Sequence, residues 1–283
     1  MEWLKWFFNI IKGNFETTDS IPKVKFDENH LSHMTFNLRR DSLSDGEHRW
    51  EFRKRNIVTM LECIHPDILC VQECMPHMWK HLTQSLSNSY NWHSAELVGG
   101  KKLDDTLLFI SEGLGILYNK ERYVLLDKGM FWLTDNPDRF GRSWGNKVPR
   151  ICVWVKLFDK VTKEIICVFN THLDYESSTV RVKSISLIQQ MARNVYGIPI
   201  ICGDMNYDPQ SEEHKFMSET YDCNYHHLEH ASSKTTLNRF QHKPLTFIDF
   251  TYFQPQKSSS VVIETGFGTD FLSDHYPVLT FLY

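Results

Sequence analysis

The sequence predicts a four-layer α/β sandwich, two mixed β-sheets packed face to face and flanked by helices, on three observations. Strand-like runs outnumber helix-like runs, and several follow one another as apparent hairpins, which points to mixed sheets and away from a Rossmann fold. In Ile151–Leu157 the apolar Ile151, Val153, Val155 and Leu157 alternate with Cys152, Trp154 and Lys156, so both faces of that strand are largely buried. A chain of 283 residues, 41% hydrophobic and 13% aromatic, can bury the large core that such a sandwich encloses.

The elements follow in order. Met1–Gly13 places Trp3, Trp6, Phe7, Ile10 and Ile11 on one face of a short helix with Lys5 and Lys12 at its edge. Such a face suits a membrane interface, or docks on the body of the protein or a partner, the reading that two positive charges favour. The segment is too short to span a bilayer and lacks a small-residue cleavage site. Residues 16–30 read as a linker, which gives a division into 1–30, an amphipathic helix with its linker, and 31–283, the main domain. Within that domain Met34–Leu38 reads as a strand. Trp50–Ile64 reads as a helix with Ile57, Leu61 and Ile64 on one face, ended by Pro66. Asp67–Gln72 follows as a buried strand. Further strands are expected at Gly113–Tyr118, Tyr123–Asp127, Ile151–Phe158, Ile165–Thr171, Ile198–Gly203, Phe247–Phe253, Val261–Glu264 and Val278–Leu282, with a long helix at Val180–Tyr196.

Composition narrows the function classes. A net charge of -4 gives no general field for polyanions and weakens any expectation of tight, obligate nucleic-acid binding. The seven cysteines are odd in number and sit mostly in apolar runs, which reads as reduced core thiols and a cytoplasmic chain, peripheral to a membrane if the first helix anchors it. Cys70 and Cys74 are spaced only loosely like a redox or zinc pair, with no second pair to complete a site. His226, His227 and His230 read as loop residues on the surface.

The informative pattern is polar residues at the ends of apolar strands, where a sheet edge opens into a cleft. Asn37 follows Met34–Phe36, Gln72 and Glu73 follow Ile68–Val71, and His172 follows Cys167–Thr171. Asp204 and Asn206 follow Ile198–Gly203, and Ser273, Asp274 and His275 precede Val278. One carboxylate after a strand is ordinarily a helix cap or a solvated loop residue. Five strand ends that all offer metal or proton ligands are harder to explain structurally.

In their order and spacing the segments MTFNLR, DILCVQE, VFNTHLD, GDMN, FIDF and SDH resemble the endonuclease/exonuclease/phosphatase superfamily, over about residues 31–283. Deoxyribonuclease I, the deadenylases and the inositol-polyphosphate 5-phosphatases belong to it. WEFRKRNIVTMLECIHPDILCVQE, FWLTDNPD and PRICVWVKL look closest to a largely uncharacterised bacterial branch. The resemblance implies the deoxyribonuclease I-like sandwich and hydrolysis of a phosphoester by an in-line water. It makes Glu73 the principal Mg²⁺ ligand (Mn²⁺ accepts the same oxygens), with Asn37 beside it and Asp274 on the metal-facing side. Asp204 and Asn206 match the pair that positions the attacking water. His275 matches the active-site imidazole, and Asp249 the carboxylate that fixes its tautomer. Whether Asp204 or His275 takes the proton stays open.

His172 matches the second histidine of the deoxyribonuclease and deadenylase branches; abasic-site endonucleases carry a Tyr there. Glu112, at the start of the next apolar strand, is its expected orienting acid. Arg150, just before Ile151–Phe158, is expected to clamp a phosphate oxygen with its planar guanidinium. The segment 129–149, with Phe131, Trp132, Phe140 and Trp144, is placed to wall the pocket, but Phe131 and Trp132 continue an apolar strand and fit the core better. The partner is then a phosphoester, with nucleic acid or a nucleotide slightly ahead of a phosphorylated sugar, inositol or lipid head group. A phosphodiesterase or nuclease thus stands first. A phosphatase or a membrane-recruited phospholipase-like enzyme is the alternative. A non-catalytic binding module would need losses among Glu73, Asp204, Asn206, Asp249 or His275, and none is lost.

Overall fold

A computed structural model describes residues 29–96, 102–103, 106–107, 112–229, 234–243, 245–264, 267 and 269–283. The amphipathic segment Met1–Gly13, the linker and His230 lie outside the described residues.

The strands are β1 (Leu31–Asn37), β2 (Ile68–Cys74), β3 (Tyr90–Glu96), β4 (Lys102–Leu103), β5 (Thr106–Leu107), β6 (Gly113–Asn119) and β7 (Tyr123–Trp132), followed by β8 (Ile151–Asp159), β9 (Ile165–His172), β10 (Ile198–Asp204), β11 (Asp222–Cys223), β12 (Asp249–Phe253), β13 (Ser258–Val262) and β14 (Val278–Leu282). The helices are α1 (Trp50–Ile64), α2 (Pro76–Leu86), α3 (Ser178–Asn194) and α4 (Glu212–Ser218). One six-stranded sheet runs β13-β14-β1-β2-β6-β3 and the other β11-β12-β10-β9-β8-β7. Each is mixed for the same reason. A helix links one parallel pair in each, α1 between β1 and β2 and α3 between β9 and β10, and the other strands join antiparallel.

Period-two alternation builds the layers. On the outer face of the first sheet, Met34, Phe36, Leu69 and Val71 pack with Trp50, Ile57, Leu61 and Ile64 of α1. On the outer face of the second, Cys152, Phe169 and Ile201 pack with Ile185, Ile188 and Ala192 of α3. Between the sheets lie Ile68, Cys70, Ile116, Val153, Val155, Val168, Ile200 and Cys202. That is the four-layer sandwich expected. The helix at Trp50–Ile64 ends as its sequence requires, with His65 left-handed at φ 51° and its N–H returned to Leu61 O just before Pro66. All seven cysteines are free and buried. No described helix is long and apolar enough to cross a membrane.

Among the elements that differ from expectation, two strands do so for readable reasons. The strand expected at Tyr123–Asp127 continues to Trp132 past an irregularity between Leu125 and Asp127, which buries Phe131 and Trp132 in the core. Tyr90–Glu96, not expected at all, is the edge strand of the first sheet. With Asn91 exposed and Trp92 37% exposed, it carries no clean apolar alternation.

Candidate active site

Strand direction gathers the site. The parallel strands β1, β2, β9 and β10 end at Asn37, Cys74, His172 and Asp204. Their antiparallel neighbours β6, β8, β12 and β14 begin at that same end, which brings Glu112, Arg150, Asp249 and His275 to it. The register shows this directly, since Asp204, last in β10, lies opposite Asp249, first in β12. Glu73, Glu112, Arg150, His172, Asp204, Asn206, Asp274 and His275 line one cavity of about 450 Å³. Asn37 and Asp249, both fully buried, lie behind it and hold its walls.

Local backbone geometry aims the central groups. Glu73 sits at a register shift in β2 between Val71 and Cys74 with φ 55°, which turns its carboxylate out of the regular pleat. Gly203 has φ 139°, and a Cβ there would meet Thr171 O at 1.9 Å, so only glycine lets β10 approach β9 just before Asp204. Asn206 is left-handed at φ 53°. Its N–H donates to Asp204 Oδ1 at 3.1 Å and its amide to Leu173 O at 3.0 Å.

The hydrogen bonds separate the roles. Asn37 Nδ2 donates to Glu73 Oε1 at 3.1 Å and to Asp204 Oδ2 at 2.9 Å, while its Oδ1 accepts the Arg39 N–H at 2.9 Å. The carboxamide of Asn37, expected beside the metal, bridges two carboxylates here. His275 Nδ1 lies 2.9 Å from Asp249 Oδ2, as expected, and its Nε2 lies 3.8 Å from Asp204 Oδ2. His172 Nε2 lies 3.4 Å from the same oxygen. Glu112 does not orient His172: its carboxylate faces Arg40 at 3.8 Å, and His172 Nδ1 has no partner. Arg150 is 3% exposed, and its Nε and Nη1 are buried without a partner. Asp274 lies 3.7 Å from Arg39 Nη1 and accepts from Ser273 Oγ at 3.3 Å.

Electrostatics divide these groups further. Burial opposes ionisation of Glu73, yet His172, the Arg40 N–H, the Asn37 amide and His275 hold its pKa at about 2. Burial, with Arg150 and His275 beside it, pushes His172 well below the usual histidine range. Asp204 moves the other way, raised to about 7 by burial and by the charges of Asp249 and Glu73, against the pull of His275 and Asn37. Burial works against the His275 imidazolium, but Asp249 and Asp204 raise it well above the ordinary value. A permanent carboxylate, a carboxyl poised near neutrality and a fixed imidazolium thus share one pocket.

Glu73, Asp204 and His172 present ligand atoms within 4.8 Å of one another. Two of these three donors are hard carboxylate oxygens, which fit Mg²⁺ or Mn²⁺, and Mn²⁺ also accepts an imidazole. Asp274, expected on the metal-facing side, lines the cavity but turns to Arg39.

Several lining residues were not read from the sequence, among them Arg39, Arg40, Tyr175 and Arg239. The pair Arg39–Arg40, directly after a strand that ends in Asn37, was the available signal. Of the segment 129–149, only Val148 lines the cavity. Trp144 is held by Asp135 Oδ1 at 2.6 Å, and Phe140 packs edge-on against Trp132. Arg53, on the buried face of α1, donates to Leu38 O, Arg39 O and Leu272 O and so ties down the loops that carry Arg39 and Asp274.

Solved structures share this architecture. An endonuclease/exonuclease/phosphatase from Bacteroides vulgatus is 26% identical, with a TM-score of 0.80 over 90% of this chain and 98% of that one. A mannosyl-6-phosphatase from Bacteroides thetaiotaomicron is 25% identical, with a TM-score of 0.76 over 89% of this chain and 100% of that one. An uncharacterized protein of Acanthamoeba polyphaga mimivirus is 27% identical over 57% of this chain and 60% of its own length. The chain thus spans about 60% of that curated relative. The sequence model of the Endonuclease/Exonuclease/phosphatase family matches residues 34–275, a stretch that holds every converging side chain from Asn37 to His275, and the chain belongs to that family.

Proposed function

We propose that this chain is a divalent-cation-dependent phosphohydrolase that cleaves a phosphoester by in-line attack of an activated water. One observation carries the reading. Arg150 is buried with two N–H groups unpartnered, on the wall of a cavity where Glu73, His172 and Asp204 converge. Buried N–H donors without an acceptor are costly and are satisfied by an anion such as a phosphoryl group.

The residues then take distinct roles. Glu73, ionised at all working pH values, holds the cation. Bound Mg²⁺ or Mn²⁺ supplies Lewis-acid polarisation and charge neutralisation of the phosphoryl oxygens. Asp204, held near pH 7 and set apart from Glu73 by the Asn37 amide, accepts the proton of the attacking water, which Asn206 Oδ1 orients. We assign the proton choice left open by the sequence to Asp204, because burial and its acidic neighbours hold Asp204 near neutrality, whereas Asp249 and Asp204 favour the charged form of His275. The His275 imidazolium, kept in place by Asp249, and the Arg150 guanidinium stabilise the charge that builds on the phosphoryl group. His172, kept neutral, touches a phosphoryl oxygen without adding charge.

The substrate we favour is a compact phosphorylated molecule, a sugar phosphate before a nucleic-acid strand, which reverses the slight preference carried by the sequence. A cavity of about 450 Å³ holds a small ligand, the chain is acidic overall, and a relative of 25% identity is a mannosyl-6-phosphatase. A nucleotide is the second reading, favoured by Tyr175, whose side chain lines the cavity and is 56% exposed, open to a base. The test is turnover, with Mg²⁺ or Mn²⁺, of sugar phosphates, nucleotides, RNA and DNA, alongside EDTA and His275→Ala controls. Release of phosphate from a small monoester that both controls abolish is expected. Activity that survives EDTA overturns the reading, and cleavage confined to polynucleotides overturns the substrate class.

A further inference from the structure

We propose that His214, Cys223 and His226 form a second metal site, for Zn²⁺, on the outer face of the second sheet. Their ligand atoms lie within 4.8 Å of one another. Cys223 pairs in register with Tyr252 and shares with it the outer core cluster, whereas Asp249 lies on the inner face. The site is therefore separate from the cavity described above. One thiol and two imidazoles suit Zn²⁺ and not Mg²⁺, which takes oxygen donors. The sequence read His226, His227 and His230 as surface loop residues. The fold instead recruits His226 alone from that group and supplies the other two donors from α4 and β11.

What separates this cluster from a chance meeting of side chains is the shell around it. A metal-ligating histidine ordinarily has its other ring nitrogen held by a carboxylate or another polar group, which fixes tautomer and orientation. His226 Nδ1 lies 3.0 Å from Asp222 Oδ1, leaving Nε2 for a metal. Asp222 Oδ2 in turn anchors His227 Nε2 at 2.6 Å, so the carboxylate is braced on both oxygens. His214 Nδ1 lies 2.8 Å from the Tyr252 hydroxyl, which is itself tied to the Tyr207 hydroxyl at 3.0 Å. That leaves His214 Nε2, whose other neighbour is Ser218 Oγ at 3.4 Å. Burial pushes the Cys223 thiol up to about 12, against the backbone N–H groups of His226 and Tyr225 that point at its sulfur, so a metal bound there would displace the thiol proton. Cys223 is fully buried and His214 nearly so, but the His226 side chain is 45% exposed. A metal has an access path there. Binding would tie α4 to the edge strand β11, across the short loop between them.

Cobalt(II) is the probe, because thiolate coordination gives a near-ultraviolet charge-transfer absorption that an oxygen-rich site cannot give. The full-length protein, stripped with a chelator and reduced, is titrated with Co²⁺ and then with Zn²⁺. One equivalent of Co²⁺ is expected to develop the thiolate band, and Zn²⁺ to abolish it. Glu73→Gln keeps the band, Cys223→Ser loses it, and Asp222→Ala weakens Co²⁺ binding by about 10- to 100-fold. Since Cys223→Ser alters a buried position, His226→Ala at the exposed ligand is the second variant, with circular dichroism as the check on folding. Zn²⁺ should raise the Tm of the wild type and not that of His226→Ala. The absence of a thiolate band in the wild type overturns the site. So does a band that persists in His226→Ala or Cys223→Ser.

Discussion

Asp204→Asn tests the electrostatics of the site without requiring the substrate. Asp204 is 2% exposed and raised from its ordinary 3.8 to about 7. The folded protein therefore binds this proton more tightly than the unfolded chain does. Its contribution to stability is fully present below pH 4 and is lost as pH rises to 7. A shift of about 3 units at about 1.4 kcal/mol per unit puts the loss on the order of 4 kcal/mol. Asparagine keeps an acceptor for Asn37 Nδ2 and never ionises. In EDTA the stability of Asp204→Asn relative to wild type should thus rise by up to about 1.4 kcal/mol per pH unit between pH 4 and 7, then level off. Urea unfolding at half-unit intervals from pH 4 to 8.5 reads this directly. The same variant should lose several orders of magnitude in turnover once a substrate is in hand. A stability difference that does not change with pH, or one that falls as pH rises, refutes both the raised pKa and the assignment of Asp204 as base.

Three further outcomes follow from the geometry. Arg150→Met should stabilise the protein by about 1–3 kcal/mol, because it removes buried donors that have no partner. It should also lower kcat by roughly 100- to 1,000-fold as an oxyanion contact is lost; denaturant midpoints and initial rates check the pair, and a loss of both stability and activity contradicts the anion role. Asp249→Asn removes the anion that does most to raise His275, so the imidazolium is lost at lower pH and the alkaline limb of the pH–rate profile should move toward neutrality; an unmoved limb argues against His275 as the charged group. Gly203→Ala forces a Cβ to 1.9 Å from Thr171 O at φ 139° and should cost about 3 kcal/mol, seen as a lowered urea midpoint; a variant of unchanged stability would show that β9 and β10 can yield there.

What the sequence shows and what it hides divide along physical lines. The helix Trp50–Ile64 is readable to the residue, because its apolar period, the αL-tolerant His65 and Pro66 all agree. The edge strand Tyr90–Glu96 is hidden, because its amphipathic signal fades where one side meets solvent. Helix α2 carries an unread signal, with Pro76 at its first turn and Met78, Leu82 and Leu86 buried at helical spacing. Within the site, residue types announced the carboxylates and imidazoles but not their partners. Glu112 and His172 are both at strand ends, yet the first meets Arg40 and the second Asp204. Pairings of that kind depend on which strand lies beside which, and spacing along the chain does not carry that order.

The same limit applies beneath the site, where the two sheets are joined by polar groups. Along the inner faces toward the cavity, apolar Ile68, Val168 and Ile200 give way to polar Thr35, Gln72 and Asn170, with Gln72 in register with Asn37 and Asn170 with Cys202, and β1, β9 and β10 end at Asn37, His172 and Asp204. Gln72 Nε2 donates to Asn170 Oδ1 at 2.8 Å, across 98 residues of sequence, and lies 3.2 Å from Thr35 Oγ1. Asn170 Nδ2 returns hydrogen bonds to Val71 O and Gly115 O on the opposite sheet. Apolar packing alone fixes the spacing of two sheets but leaves them some freedom to slide. A directional bridge removes it at the level just below Glu73 and His172. Those two side chains stand on different sheets, one residue beyond Gln72 and two beyond Asn170, so their convergence depends on the sheets holding one offset. The polar layer beneath the cavity therefore positions the candidate site through geometry, although Thr35, Gln72 and Asn170 do not line the pocket.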